Sequence, residues 1–161
     1  MTRRVKNFTD LTGRVAVVIG GTSGLGRTIA IGLAEAGADV VATGRRADLV
    51  EEVASAIEAT GARSLRMAVD IASRESIDAL RDRVLSELGS VDILVNAAGR
   101  TLKKPTNEVA QTEWEEVMDT NLTGILRSCQ SFHAALRASG RGRVINIASL
   151  SAFVAFFQVA A

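Results

Sequence analysis

The feature that most constrains the fold is a regular alternation of short apolar runs with longer amphipathic segments. The runs are rich in β-branched and aliphatic residues and nearly free of charge, as strands buried on both faces must be. Five such runs lie at residues 15–19, 39–43, 65–69, 93–95 and 144–147. The alternation predicts parallel strands joined by helices.

The segments between the runs have helical periodicity. Residues 25–36, 48–59 and 73–88 carry apolar side chains at spacings of three and four, and glycines follow the first and third of them. A longer helix is predicted from Thr112, whose spacing to Glu115 is that of a capping box, to a stop near Gly140. The pattern therefore predicts an α/β fold, a Rossmann-type doubly wound parallel sheet, with its ligand site at the carboxyl ends of the strands.

Composition excludes several classes of protein. The chain has 161 residues, 47% of them hydrophobic and 23% charged, and a net charge of +1, which suits one globular domain and argues against a nucleic-acid-binding protein. No apolar run is long enough to span a membrane. Cys129 and His133, each the only residue of its type, cannot supply a metal site. We expect residues 1–161 to form part of one cytoplasmic domain without metal, nucleic-acid or membrane partners.

The strongest local motif is Gly-Gly-Thr-Ser-Gly-Leu-Gly at residues 20–26, between a predicted strand and a predicted helix. Glycines allow a tight turn and bring a pyrophosphate close to the free N–H groups of a helix N-terminus. Two alternatives remain open. The glycines could serve only strand-to-helix packing, or the segment could be a P-loop, although Arg27 stands where that motif requires lysine.

The glycine spacing resembles the short-chain dehydrogenases/reductases, whose pattern is matched from Ile19 onward except for its leading threonine. Four further motifs of that family follow in order, at Asp70-Ile71, Asn96-Ala97-Ala98-Gly99, Asn121 and Ser149. Residues 8–14 and 20–26 are similar to those of sugar-acid and polyol dehydrogenases such as gluconate 5-dehydrogenases, and equally to those of 3-oxoacyl-carrier-protein reductases.

The resemblance implies an oxidoreductase that moves a hydride between a nicotinamide cofactor and a small secondary alcohol or ketone. Asn121 and Ser149 would be catalytic, and Asn121 would accompany a distortion of its helix. The implied cofactor-binding residues are Gly20, Thr22, Ser23, Gly24, Leu25, Gly26, Arg45, Arg46, Asp70, Ile71, Asn96, Ala97, Ala98 and Gly99.

The resemblance also implies a catalytic tyrosine thirteen residues after Ser149 and a lysine four residues later. Position 162 lies beyond Ala161, and the chain contains no tyrosine. We therefore expect the first five of seven strands, a sheet incomplete at the C-terminus, and no turnover from these residues alone. The alternative function is that of a non-catalytic nucleotide-binding module.

The residues after the second run bear on the choice of cofactor. An acidic residue there would bind the ribose hydroxyls of NAD, whereas the sequence continues as Gly44-Arg45-Arg46. This predicts NADP over NAD, with NAD still possible. The alternative is that both arginines are merely solvated.

The long predicted helix also bears on assembly. Trp114, Met118, Leu122 and Ile125 are expected to face the sheet. Cys129, Phe132 and Leu136 are expected to face a second subunit. In the resembled family this helix lies at a subunit interface, so the complete protein is expected to be a homodimer or homotetramer.

Overall fold

The computed structural model describes residues 10–159, so the first two residues of the 8–14 motif lie outside it. Four parallel strands form one sheet in the order β2-β1-β3-β4. They are β1 Val15–Ile19, β2 Asp39–Thr43, β3 Ile93–Asn96 and β4 Arg143–Asn146. The chain adds strands first on one side of β1 and then on the other, which creates a topological switch point between β1 and β3.

Helices cover both faces of the sheet, which confirms the predicted doubly wound fold. α1 (Gly24–Glu35) and α2 (Ala47–Glu58) bury apolar side chains with Val18 and its neighbours on one face. α3 (Arg74–Leu88) packs with Val17 on the other face. None of the helices among the described residues is both long and apolar enough to cross a bilayer.

The three shorter predicted helices form within one residue of their predicted starts and ends. Ser73 caps α3 by accepting a hydrogen bond from the Ser76 N–H at 3.1 Å. Gly89 ends the same helix with a φ of 84°, a left-handed conformation that favours glycine.

The strand predicted at residues 65–69 is wrong. This segment lies beside β2, but main-chain hydrogen bonds join the two only at the ends, from the Val40 N–H to the Arg63 carbonyl and from the Val69 N–H to the Gly44 carbonyl. Leu65 and Val69 are buried in the core, whereas Arg66 is exposed. The apolar residues of this segment therefore reflect packing in the core and not strand pairing. Four of the five predicted strands form among the described residues.

The long helix is divided by a π turn. α4 (Gln111–Met118) is followed by the π turn Asp119–Thr123 and then by α5 (Gly124–Ala138). The predicted capping pair of Thr112 and Glu115 is also wrong. The helix begins one residue earlier, and the Glu113 carboxylate accepts a hydrogen bond from the Ala110 N–H at 2.9 Å.

The π turn explains why the predicted faces of this helix are wrong. Phe132 and Leu136, expected to face a second subunit, are buried against the sheet, whereas Trp114 and Leu122 are 42% and 60% exposed. A π turn adds about one residue, which rotates the helix before it by roughly 100° relative to an uninterrupted α-helix. Val117 therefore faces the core in place of Trp114.

β4 and the segment after it carry exposed apolar side chains. Val144 and Ile145 of β4 are each nearly half exposed. Beyond β4, Phe153 and Phe157 are 86% and 81% exposed. This part of the sheet therefore presents apolar surface on the described chain.

Candidate functional site

The carboxyl ends of the four strands bring most of the predicted site residues to one edge of the sheet, which we call the rim. It consists of the segments that follow the strands, residues 20–26 after β1, 44–46 after β2, 97–100 after β3 and 147–149 after β4. Because parallel strands all end at the same edge, segments far apart in sequence meet there.

Close backbone contacts hold the glycine loop against the neighbouring segments. Gly20 has a φ of 84°, and a Cβ there would overlap the backbone of Ala97 and Ala98. A Cβ on Gly26 would overlap the Gly20 carbonyl. The loop can therefore pack this tightly only with glycine at both positions.

The first turn of α1 leaves backbone donors unpaired at the rim. Its first helical hydrogen bond runs from the Arg27 N–H to the Ser23 carbonyl at 3.1 Å. The N–H groups of residues 22–26 have no hydrogen-bond partner among residues 10–159, and Ser23 provides no side-chain cap. Gly24 has a φ of 51° and nothing within 4 Å of the place a Cβ would occupy. These donors and this space suit an anionic ligand.

Arg45 and Arg46 extend the rim beyond β2. Both are exposed, and neither forms an ion pair with another described residue. By contrast, the Arg66 guanidinium lies 2.6 Å from Glu58 and 2.8 Å from Glu51. Arg45 and Arg46 thus add unneutralised positive charge beside the glycine loop.

Asp70 and Ile71, predicted to bind the adenine, occupy different environments. Asp70 is exposed, and its Oδ1 accepts a hydrogen bond from the Ala72 N–H at 3.0 Å. Ile71 is buried and packs so closely on α5 that a Cβ on Gly124 would lie 2.8 Å from it. Of the two side chains, only that of Asp70 therefore presents a polar group to solvent.

Asn96 is buried and belongs to a polar network below the rim, of which Ser128 is also buried and Asn146 is exposed. Its Nδ2 donates to Asn146 Oδ1 at 2.8 Å, and its Oδ1 accepts from the Ser128 hydroxyl at 2.6 Å. The Asn96 amide is thus satisfied inside the protein, and the following residues present the backbone of this segment to the rim. Sequence reasoning did not identify Ser128 or Asn146. Ser128 could have been found from its position four residues before the apolar Phe132, which puts both on the same face of the predicted helix.

Asn121 lies in the π turn, so the helix distortion that the resemblance implied is present. Its Oδ1 accepts from the Arg100 N–H at 2.9 Å, and its Nδ2 donates to the Arg100 carbonyl at 2.8 Å. The oxygen and the nitrogen of the Asn121 side-chain amide thus both bond to the backbone of Arg100. Asn121 therefore fixes the segment that follows β3.

Ser149 lies past the end of β4 and is exposed. Its Oγ accepts from the Ser151 N–H at 3.1 Å and lies 3.0 Å from the Ser151 hydroxyl. These contacts fix the Ser149 side chain at the start of a short 3₁₀ turn, Leu150–Ala152. A hydroxyl held in this way can hydrogen-bond a ligand at the rim.

A basic loop, residues 100–104, continues from the β3 segment. Arg100 pairs with Glu116 at 2.7 Å and Lys104 with Glu113 at 2.9 Å. The hydrogen bond from Lys104, together with that from the Ala110 N–H, holds the pKa of Glu113 below its ordinary value. Across residues 10–159 there is no cluster of three or more His, Cys, Asp or Glu side chains suited to a metal ion.

Comparisons with known proteins agree with this geometry. A family model described as short chain dehydrogenase matches residues 14–161. The 2-dehydro-3-deoxy-D-gluconate 5-dehydrogenase of Escherichia coli K12 is 38% identical over 147 residues, which are 89% of this chain and 56% of that protein. The chain thus spans a little over half the length of this relative, whose name refers to a sugar-acid substrate.

Two solved structures show the same fold. A putative short-chain alcohol dehydrogenase from Sinorhizobium meliloti 1021 superposes with a TM-score of 0.90 at 34% identity, covering 94% of this chain and 60% of that one. A metagenomic short-chain oxidoreductase in complex with NADP gives a TM-score of 0.87, also at 34% identity, over 93% of this chain and 68% of that one. With the glycine loop, the π-turn asparagine and the serine after β4 in place, the chain belongs to the short-chain dehydrogenase family.

Proposed function

We propose that the rim binds a nicotinamide dinucleotide and that the complete protein interconverts a secondary alcohol and a ketone. The observation that carries this proposal is the set of unpaired N–H groups at residues 22–26. When bound, the nicotinamide ring supplies the hydride chemistry, accepting a hydride from the carbinol carbon or returning it to the ketone.

The residues at the rim fit such a cofactor. Thr22, Ser23, Gly24, Leu25 and Gly26 would hold the pyrophosphate through backbone N–H groups at the positive end of the α1 dipole. The exposed Asp70 carboxylate and the Ile71 backbone would meet the adenine. The backbone of Ala97, Ala98 and Gly99 would meet the ribose on the nicotinamide side.

NADP is the favoured cofactor because the second strand ends in two unpaired arginines. Arg45 would pair with a 2′-phosphate, with Arg46 as support, and residues 44–47 contain no carboxylate that would bind the ribose hydroxyls of NAD. The NADP complex of the metagenomic short-chain oxidoreductase supports nicotinamide binding by this fold.

The test of this preference is Arg45→Ala in the complete protein. Charge-assisted hydrogen bonds contribute roughly 1.5–3 kcal/mol, so affinity for NADP should fall by about tenfold to a hundredfold while affinity for NAD stays nearly unchanged. The matched control is Arg137→Ala on the exposed surface of α5, which should alter neither affinity. Titration calorimetry measures both. Equal losses for the two cofactors would contradict the assignment.

On the substrate side, Ser149 would donate a hydrogen bond to the reacting oxygen, and Asn121 would position the β3 segment. Removing a donor of this kind costs about 10²–10³-fold in kcat. Ser149→Ala in the complete protein should show such a loss with NADP binding unchanged. Ser151→Ala keeps the backbone N–H that holds Ser149 and removes only the neighbouring hydroxyl, so it should retain most of the activity. Similar kcat values for Ser149→Ala and the unchanged protein would remove Ser149 from the mechanism.

Oxidation of an alcohol also requires a group that takes the hydroxyl proton. These 161 residues contain no tyrosine, and we propose that the tyrosine and lysine implied at positions 162 and 166 supply that step in the complete protein. A polypeptide of residues 1–161 alone would then bind cofactor without turnover. Binding without turnover by the complete protein would instead favour a nucleotide-binding module.

We further propose that the complete protein is a homodimer or homotetramer. The outward face of α4, the π turn and α5 carries Trp114, Leu122 and Leu126, all exposed on the described chain. Several exposed large apolar side chains on one helical segment are typical of a subunit interface. Light scattering should give a mass of two or four chains, and a monodisperse monomer would contradict the proposal.

A further inference from the structure

An ion pair between Asp119 and Arg127 spans the π turn. Asp119 is the first residue of the turn, and Arg127 lies in the first turn of α5. The Arg127 Nη2 lies 2.8 Å from Asp119 Oδ1. Among residues 10–159, this is the only ion pair that links α5 to the π turn.

The spacing of the two residues suits a helix with a π turn and not an uninterrupted α-helix. In an α-helix, residues eight apart lie about 80° from each other around the axis. The π turn contains about one extra residue, so Asp119 and Arg127 are related as residues seven apart, within about 20° of each other. Because helical side chains point toward the N-terminus, Arg127 reaches back along this face to Asp119. The ion pair therefore favours the π turn over a regular helix.

Overall stability does not account well for this arginine. The side chains of Arg127 and Asp119 are 26% and 36% exposed, and ion pairs in contact with solvent add little to the free energy of unfolding. The Arg127 Nη1 is buried and has no hydrogen-bond partner in the described part of the chain, which lowers stability. The local geometry that the pair maintains explains its presence better.

The same turn contains Asn121, whose contacts connect the helix to the rim. The Gly124 N–H donates to the Asp119 carbonyl, five residues earlier, as a π turn requires. Within this turn, the Asn121 amide bonds to the Arg100 N–H at 2.9 Å and to the Arg100 carbonyl at 2.8 Å. A return to α-helical hydrogen bonding would rotate the residues before Gly124 by up to about 100° relative to α5, which would carry Asn121 away from Arg100.

We propose that Asp119 and Arg127 are positioning residues. Their ion pair stabilises the π turn, keeps Asn121 on the Arg100 backbone and so fixes the segment after β3 against which the cofactor and the substrate would lie. This inference rests on the oxidoreductase function proposed above. Neither side chain takes part in the hydride or proton transfer.

Amide hydrogen exchange of the complete protein tests this role independently of turnover. The Arg100 N–H donates to Asn121 Oδ1, so its exchange rate reports that contact. Arg127→Met should raise the exchange rate at Arg100 by about fivefold or more, and Arg127→Lys, which keeps the charge, should restore most of the protection. Arg83→Met is the matched control, because it removes an ion pair with Glu87 at 2.7 Å within the regular helix α3. It should leave Arg100 unchanged.

Kinetics of the complete protein separate positioning through Asn121 from a general structural role. Arg127→Met should lower kcat by about fivefold in the otherwise unchanged protein and by less than about twofold in the Asn121→Ala background. A structural role unrelated to Asn121 would lower kcat by the same factor in both backgrounds.

Unchanged exchange at Arg100 in Arg127→Met, or equal kinetic factors in the two backgrounds, would overturn the assignment of the ion pair. Absence of turnover by the unsubstituted protein on a panel of alcohols and ketones, with NADP still bound, would instead overturn the proposed oxidoreductase function. The exchange rate at Arg100 would then still decide whether the ion pair positions Asn121.

Discussion

The two edges of the sheet differ in whether their polar groups have hydrogen-bond partners within the chain. At the amino edge, where the strands begin, Asp92 is only 1% exposed and is completely paired within the chain. Its Oδ2 accepts from the Val15 N–H at 3.0 Å, and its Oδ1 accepts from Arg141 at 2.7 Å, with Arg14 at 3.5 Å. At the rim, five consecutive N–H groups lack a partner among the described residues.

This difference indicates that the amino edge contributes mainly to stability, whereas the rim is suited to binding a ligand. A polar group without a partner costs free energy when it is removed from water, so a chain selected for stability alone would pair its donors. The amino edge does so by joining β1, β3 and the approach to β4 through one carboxylate. The rim keeps its donors and two arginines unpaired, which suits a surface whose partner is a ligand.

The largest effect should come from breaking the amino edge. Asp92→Ala leaves the Val15 N–H without a partner and two arginines without their carboxylate, so we expect a loss of about 3 kcal/mol in the free energy of unfolding. Urea denaturation measures this loss. Asp82→Ala, which removes an exposed carboxylate paired with Arg81, should cost less than about 1 kcal/mol. Cofactor affinity of the folded Asp92 variant should change less than twofold.

A smaller effect on stability, with a selective effect on binding, is expected at the rim. Gly24→Ala introduces a side chain at a φ of 51°, which costs roughly 1–2 kcal/mol, and fills the space beside the unpaired donors. Affinity for NADPH should fall by about tenfold or more. Gly61→Ala has the same kind of strain, at a φ of 93° with open surroundings, and should leave affinity unchanged. Equal losses of affinity in both variants would show that strain alone is responsible.

The smallest effect concerns a contact between α3 and α5 that belongs to neither edge. The Ser131 hydroxyl donates to Asp78 at 2.6 Å and, with Arg74, holds the pKa of that carboxyl below its ordinary value. The stabilisation is therefore present above the ordinary aspartate pKa of about 3.9 and is lost as pH falls through the lowered value.

Ser131→Ala should consequently be less stable than the unchanged protein at pH 7, and urea denaturation should show this difference shrinking as the pH is lowered from 7 past the ordinary aspartate pKa. Ser139→Ala provides the control, because the Ser139 hydroxyl donates to the Leu136 carbonyl and contacts no carboxylate. Its loss of stability should not depend on pH in this range. A pH-independent difference for Ser131→Ala would contradict the assigned role of Asp78.

Features set by local sequence could be predicted, whereas those set by tertiary packing could not. The buried run of β1 and the glycines after it act within a few residues of one another, so the strand, the loop and the following helix were predicted correctly. The segment at residues 65–69 has the composition of a strand. It forms none because its backbone would have to lie within hydrogen-bonding distance of β2 along its whole length, and it does so only at the ends. The π turn changes which side chains of α4 face the core, and the composition of the helix does not reveal that the turn is there.

The same distinction applies to the site. Motif spacing predicts Asn121 and Ser149 as site residues, but the partners that hold them, the Arg100 backbone and Ser151, are visible only in the structure. Asn96 remains a predicted cofactor-binding residue, and the structure adds that Ser128 and Asn146, which lie 32 and 50 residues away in sequence, hold its amide. Contacts at such separations carry no periodic signal.

Hydrogen–deuterium exchange of the complete protein, with and without NADPH, tests the difference between the two edges most directly. Unpaired N–H groups should exchange rapidly in the free protein and become protected when a ligand accepts their hydrogen bonds. We expect NADPH to protect residues 20–26 most strongly and residues 44–46 and 97–99 as well, with no change around Asp92 and Arg141. No protection at residues 20–26, or protection confined to the amino edge, would contradict the assignment of the rim as the ligand site.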